Sequence, residues 1–184
     1  QTTFADVAYG FAACARHRIG CTMSLFEPGF LQLVNNLYDY ILIDCPPSLN
    51  MLTVNALVAC EGVIIPMQCE YYALEGLSAL INTINQVQSS INPRLKIEGI
   101  LRTMYDPRMS LTTDVSAQLT EFFGDKVYRT CVPRNVRLAE APSHGKPVLA
   151  YDKQSKGALA YLALAGEIIR HNEAINEPLL DVAP

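Results

Sequence analysis

Short apolar runs rich in β-branched residues alternate along this chain with longer stretches whose apolar positions recur every three or four residues. Few folds accommodate that order. Tyr40–Ile43 reads as a buried strand, Gly62–Pro66 ("GVIIP") as a second, and Leu95–Met104 contains a third. Lys126–Val132 is a fourth, stopped by Pro133, and Pro147–Leu149 a brief fifth. Met51–Cys60 reads as a short helix. Ala73–Ile91 sets Leu74, Leu77, Ile81, Ile84, Val87 and Ile91 on one helical stripe, with Pro93 just beyond its end. Leu111–Phe123 reads as a helix ending before Gly124, and Lys156–His171 as a closing helix. Strands and helices in that alternation imply right-handed βαβ crossovers. The expected fold class is therefore α/β: a mostly parallel sheet with helices on both faces. Residues 1–30 show no convincing period, and the acidic tail from Asn172 to Pro184 reads as frayed.

A chain of 184 residues, half of them apolar, suits one domain with a sizeable core. No run approaches the ~18 apolar residues of a membrane-spanning helix. The start, Gln1–Asp6, lacks the basic-then-apolar pattern of a signal peptide, so a cytoplasmic protein is expected. It also lacks Met, which reads as a fragment or a processed product. The six cysteines form no C-x-x-C pair, so they read as reduced thiols rather than a zinc site or a disulfide framework. Charge is uneven. Residues 1–93 carry 2 basic and 7 acidic side chains (net −5), residues 94–160 carry 11 and 7 (net +4), and residues 161–184 carry 1 and 4 (net −3). A basic middle in an acidic chain points to an anionic partner on one face, or simply to a solvated helix surface.

In open parallel sheets, ligands bind outside the carboxyl ends of the strands. Four such ends carry polar groups: Asp44-Cys45-Pro46-Pro47, Pro66–Glu70, Thr103–Arg108 and Pro133–Arg137. By the fold rule these gather on one edge. Asp44 is a candidate for the outer shell of a Mg²⁺ held by phosphate and water, or equally a cap on the next helix. Arg108, Arg134 and Arg137 are candidates to neutralise phosphates; the alternative is surface arginines paired with Asp106 and Glu140. Met104 and Pro133 can wall an aromatic base, or merely pack a loop. His144, in "SHGKP", has no nucleophile at a catalytic spacing and reads as structural. Cys45 follows a strand but lacks the glycines of a nucleophile elbow.

A carboxylate serving a metal-bound phosphate implies a phosphate loop, G-x-x-x-x-G-K-[ST]. The chain's one Gly-Lys pair, Gly145-Lys146, is followed by Pro147, and Glu140 stands where the first glycine should be. No G-x-G-x-x-G occurs either.

The stretches "YDYILIDCPPSLNMLTVNAL", "VIIPMQCEYYALEGLSALINTI", "LRTMYDPRMSL", "FGDKVYRTCVPRNVRLAEAPSHGKPVLAYD" and "SKGALAYLALAGEI" resemble, in order and spacing, the ParA/Soj branch of the ParA–MinD ATPases, over residues 31–171. The resemblance implies a deviant-Walker P-loop NTPase fold, N-terminally truncated, that uses ATP and Mg²⁺ to form a sandwich homodimer. That dimer binds DNA non-specifically, is nucleoid-associated, and partitions a chromosome or plasmid until a ParB-type partner stimulates hydrolysis. It further implies that Asp44 is the Walker B-like aspartate, that Thr103, Met104, Pro133, Arg134 and Asn135 line the adenine pocket, and that Arg108 and Arg137 contact DNA. The expected organisation is an unassigned segment 1–30, the carboxyl portion of the ATPase domain at 31–171, and an acidic tail at 172–184. That tail differs from the basic amphipathic helix by which the MinD branch holds a membrane.

Several positions depart from the family pattern. The first strand, its K-G-G-x-G-K-T loop and a D-x-D-P-Q segment have no counterpart here. Asn50 replaces a usual Gly, Arg102 a usual apolar residue, and Lys153 a usual Pro. Arg102 would be unpaired in a strand if that position were buried. Without the loop the chain is expected to bind ATP weakly and not to turn it over alone. The competing expectation is a degenerate ParA-like regulatory or DNA-binding module, and a third is a non-partition member of the same superfamily.

Overall fold

The computed structural model describes residues 40–46 and 49–176. The chain divides into two compact units, Gln1–Pro47 and Ser48–Pro184.

In the first unit, residues 40–46 have no regular secondary structure, and Leu42 is 82% exposed. The buried strand expected at Tyr40–Ile43 is therefore corrected. An apolar run becomes a strand only when a neighbour takes its backbone N–H and C=O groups. No such ladder is assigned to this segment among the described residues.

The second unit follows the expected alternation closely. Helix α1 (Met51–Ala59) opens on Asn50, whose side chain accepts hydrogen bonds from the N–H of Leu52 and Thr53. The residue that departs from the family's glycine thus works as an N-cap. The far end of α1 is held by buried Asn92, whose amide donates to the carbonyls of Leu57 and Cys60 at 3.0 and 2.8 Å. Strand β1 (Gly62–Gln68), helix α2 (Ala73–Ser90), strand β2 (Lys96–Tyr105), helix α3 (Ser110–Phe123) and strand β3 (Val127–Pro133) follow. The three strands form one parallel sheet in the order β1-β2-β3. Helix α4 (Val136–Glu140), the single turn α5 (Val148–Tyr151) and the long α6 (Lys156–Asn176) complete the unit.

The strand expected at Pro147–Leu149 is instead the start of α5. Proline offers no N–H to a ladder, while its carbonyl accepts from Ala150 and Tyr151 and so begins a helical turn. Helix α6 runs to Asn176, past the expected end at His171 and into the tail read as frayed. Residues 1–39 and the last part of that tail lie outside the described residues.

Both faces of the sheet are covered, as expected. On one, Ile65 and Met67 of β1 and Ile100 of β2 pack with Leu57 of α1, Leu77, Ile84 and Val87 of α2, and Val115 and Leu119 of α3. On the other, Ile64, Leu101, Tyr128 and Val132 pack with Leu138 of α4 and Leu164 and Ile168 of α6. Adjacent Ile100 and Leu101 serve opposite faces because successive side chains of a strand alternate.

The β2–β3 ladder is irregular. Ile100 pairs with Val127, Arg102 with Cys131, and Tyr105 with Pro133, so β3 spends six steps where β2 spends five. Arg102 is not left unpaired by this. Its guanidinium donates to Ser116 Oγ of α3 at 2.7 Å and to the carbonyls of Tyr128 and Arg129 at 2.8 and 3.2 Å. From the opposite face Glu167 of α6 accepts from the N–H groups of Arg129 and Thr130 at 2.7 and 3.0 Å. Two charged side chains, one from each face, take the backbone groups of the stretch that the ladder cannot pair regularly.

Gly99 is fixed by the same region. A Cβ there would overlap the ring of Tyr128, which is fully buried. Gly99→Ala is expected to lower stability by about 1–3 kcal/mol in urea unfolding, the usual range for overpacking. Glu167 yields a pH test. Burial pushes its carboxyl up, but hydrogen bonds from Thr130 and from the backbone N–H of Arg129 and Thr130 outweigh that and hold it below its ordinary value. Its contribution is therefore complete above the ordinary glutamate value of about 4.3 and is lost as pH falls through its folded value. Glu167→Gln is expected to cost about 1–3 kcal/mol at neutral pH, and the gap from the unsubstituted protein should narrow in acid. A gap that stays constant with pH would contradict this assignment.

Candidate functional site

Because the three strands are parallel, their carboxyl ends share one edge. Gln68 of β1 stands opposite Thr103 of β2, and Tyr105 of β2 opposite Pro133 of β3. The sheet thereby brings together Thr103, Met104 and Pro133, three of the candidates for a base-binding pocket. Met104 has φ 51°, the single non-glycine residue with positive φ among the described residues, and its side chain is half exposed. A left-handed conformation at a non-glycine residue costs on the order of 1–2 kcal/mol and concentrates at sites of function.

Asn135 lies just past this edge and caps α4, its side-chain oxygen accepting from Arg137 N–H at 2.9 Å. Arg134 is exposed, and its positive charge helps to lower the pKa of Asp106. Arg108 grips Asp106 with two bonds, Nε to Oδ1 at 2.9 Å and Nη2 to Oδ2 at 2.6 Å. Hydrogen bonding from Arg108 lowers the Asp106 carboxyl to about 2. Arg137 donates from Nη1 to Glu140 Oε2 at 2.8 Å and holds Asp152 Oδ2 at 3.5 Å from Nε. The pairings weighed as the ordinary alternative, Arg108 with Asp106 and Arg137 with Glu140, are both present. Both arginines nonetheless keep most or half of their surface in water.

Asp44 belongs to the other unit, where residues 40–46 are exposed. Beside it the Cys45 thiol is raised, by partial desolvation and by the Asp44 carboxylate, which keeps it protonated rather than nucleophilic. Cys45, Cys69 and Cys131 are free thiols. His144 stacks on Tyr151 at 4.8 Å between ring centroids. No group of three or more metal-ligating side chains occurs among the described residues, and none of their helices is long and apolar enough to cross a membrane.

One feature of this edge escapes sequence reasoning. Pro66, Met67, Tyr71, Tyr72, Met109 and Leu111 line an open cavity of about 690 Å³. Tyr71 and Tyr72 meet edge to face at 5.2 Å, yet are 74% and 76% exposed. The signal was the pair of adjacent tyrosines directly after a strand end, an unusual place for two aromatic rings to face water.

Comparison with known proteins agrees with this geometry. A family model described as an AAA domain matches residues 22–97. The sporulation initiation inhibitor protein Soj of Bacillus subtilis is 58% identical over 138 residues, 75% of this chain and 54% of that protein. The chromosome partitioning protein ParA of Caulobacter vibrioides is 57% identical over 135 residues, 73% of this chain and 51% of that protein. Among solved structures, cobyrinic acid a,c-diamide synthase from Mycobacterium smegmatis, with bound ATP analog and magnesium, superposes with a TM-score of 0.65. It is 34% identical, covering 83% of this chain and 56% of that one.

The fold and its strand-end edge are those of the P-loop NTPase-like α/β proteins. Within that class the identities decide, and the chain belongs to the ParA/Soj family, whose matched Caulobacter member is named for chromosome partitioning. It spans about half the length of the curated relatives it matches.

The conformation at Met104 can be checked directly. Met104→Val, which puts a β-branched side chain at positive φ, is expected to lose about 1–2 kcal/mol in denaturant unfolding, while Met104→Gly is not. Equal losses for the two would mean that the Met104 side chain, not the backbone, matters here.

Proposed function

We propose that this chain carries the base-binding and DNA-contacting portion of a ParA/Soj-type partition ATPase. In this reading ATP and Mg²⁺ drive a homodimer, the dimer holds DNA without sequence preference at the cytoplasmic nucleoid, and a ParB-type partner promotes release. The observation that carries the reading is the 57–58% identity to proteins named ParA and Soj across nearly three quarters of the chain. Two features of the site support it. Thr103–Met104 and Pro133 meet at one edge, as walls for an adenine require. Arg108 and Arg137 are water-facing members of the basic segment 94–160.

The residues present fit the parts of the nucleotide unequally. Thr103, Met104, Pro133, Arg134 and Asn135 suit a planar base, and Asp44 is the proposed outer-shell carboxylate for Mg²⁺. The triphosphate is not matched: the 184 residues contain no G-x-x-x-x-G-K-[ST] loop to supply backbone N–H groups and a lysine. No hydrolytic step is assigned to these residues alone. That mismatch favours a second reading for the chain by itself, a ParA-like DNA-binding or regulatory module without turnover.

Two measurements separate these readings. The 184-residue chain with ATP and Mg²⁺ is expected to show no turnover above background; hydrolysis abolished by Asp44→Asn would refute this. For DNA, Arg108→Ala and Arg137→Ala are each expected to weaken binding about equally across unrelated duplexes. Each should also lower the slope of log affinity against log salt by about one. An unchanged slope would remove the arginine concerned from the DNA interface.

A further inference from the structure

We propose that Glu140 and Asp152 act together as an electrostatic latch on Arg137, restraining its guanidinium from a phosphate backbone until a carboxylate lets go. The inference rests on the reading of Arg137 as a DNA contact and adds the groups that control it. Arg137 stands in the five-residue helix α4, and its two acidic partners come from different elements. Glu140 is one turn further on in the same helix, and Asp152 ends α5. Glu140 is held in turn, since its Oε2 also accepts from Tyr151 Oη at 3.3 Å, and the Tyr151 ring is backed by His144.

The geometry decides what this means for a phosphate. An arginine grips a phosphate with two parallel N–H bonds, from Nη1 and Nη2 at its end or from Nε and Nη2 along its side. The end pair of Arg137 includes Nη1, which is bonded to Glu140 at 2.8 Å. The side pair includes Nε, which faces Asp152 at 3.5 Å. Each pair therefore has a carboxylate beside one of its two nitrogens, competing with any phosphate that approaches. The local charge has the same sense, two negative groups around one positive. In residues 134–156 the other cations, Arg134, Lys146, Lys153 and Lys156, have no ion pair among the described residues. Within that segment Arg137 is the restrained cation. Exposed ion pairs are individually weak, so a polyanion that offers many contacts can displace these carboxylates, and an isolated anion cannot readily do so.

The test is binding of a short fluorescent duplex of arbitrary sequence to the 184-residue chain, followed by anisotropy at low salt. Glu140→Gln and Asp152→Asn, which keep shape and remove charge, are expected to tighten binding about two- to five-fold each, the strength of an exposed pair. Placed in the Arg137→Ala background, both gains should vanish. If the gains persist in that background, they report only the general charge of the face, and the latch is wrong. If neither substitution tightens binding while Arg137→Ala weakens it, Arg137 meets DNA without a latch. If Arg137→Ala leaves affinity unchanged, or the unsubstituted chain binds no duplex, the DNA reading falls and the latch with it. Thermal unfolding of each variant shows whether a loss comes from the fold. Tyr151→Phe, which frees Glu140 from its hydroxyl without altering charge, supplies a second test and should change affinity far less than Glu140→Gln.

Discussion

The irregular pairing of β3 with β2 sets the position of everything at the carboxyl edge of the sheet. Between Ile100 and Tyr105 the ladder shifts register twice, for a net gain of one residue on β3, and the outcome sets Pro133 opposite Tyr105, beside Thr103 and Met104. Such a stretch persists only if its backbone groups find other partners. Arg102 supplies donors for the carbonyls of Tyr128 and Arg129, and Glu167 supplies acceptors for the N–H groups of Arg129 and Thr130. The two side chains reach the strand from opposite faces and tie α3 and α6 to it. Tyr128 then packs against the bare backbone of Gly99, where no other residue leaves room. The two register shifts in the β2–β3 pairing thus link both layers of helices to the geometry of the candidate base site.

The strands and helices of the second unit were legible because each is a local pattern. The α2 stripe of Leu77, Ile84 and Val87 could only be a helix face, and the β-branched run of β1 bounded by Gly62 could only be a strand. What could not be read depends on distant partners. Tyr40–Ile43 has the composition of a strand, but composition does not supply a neighbour to pair with. Pro147–Leu149 looked like a strand because two of its residues are apolar, yet the carbonyl of Pro147 was free to start a turn. Arg102 looked like a misfit in an apolar position. Its partners lie 14, 26 and 27 residues away, a separation at which sequence patterns say nothing.

The same distinction runs through the candidate site. Thr103, Met104 and Pro133 converge because parallel strands end together, a rule that applies before any coordinates are known. The charge state of the arginines was only half visible. Arg137 and Glu140 are three residues apart and their pairing follows from helical spacing, but Asp152 arrives from another element. The basic segment is consequently less basic where it matters than its net charge of +4 implies, since Arg108 and Arg137 both begin with a carboxylate in hand. Under the proposed function such a face would favour a ligand able to replace several weak intramolecular pairs at once, which is the character of a phosphodiester backbone and not of a single small anion.

Recognition of a base and recognition of a triphosphate make opposite demands on a protein edge. A base needs flat apolar walls and a few oriented polar groups, which strand ends and a proline can provide. A triphosphate needs many aligned N–H donors and cations, which come from a glycine-rich turn entering a helix. Under the proposed function the edge formed by β1, β2 and β3 answers the first demand: Pro133 stands opposite Tyr105, and half-exposed Met104 has a positive φ. Near it, Arg108 and Arg137 are each paired with a carboxylate, while Arg134, Lys146, Lys153 and Lys156 form no ion pair among the described residues. The division of labour in this edge is therefore between orientation and charge. Under the proposed function the strand ends take the base, and the basic residues beyond them take a larger anion.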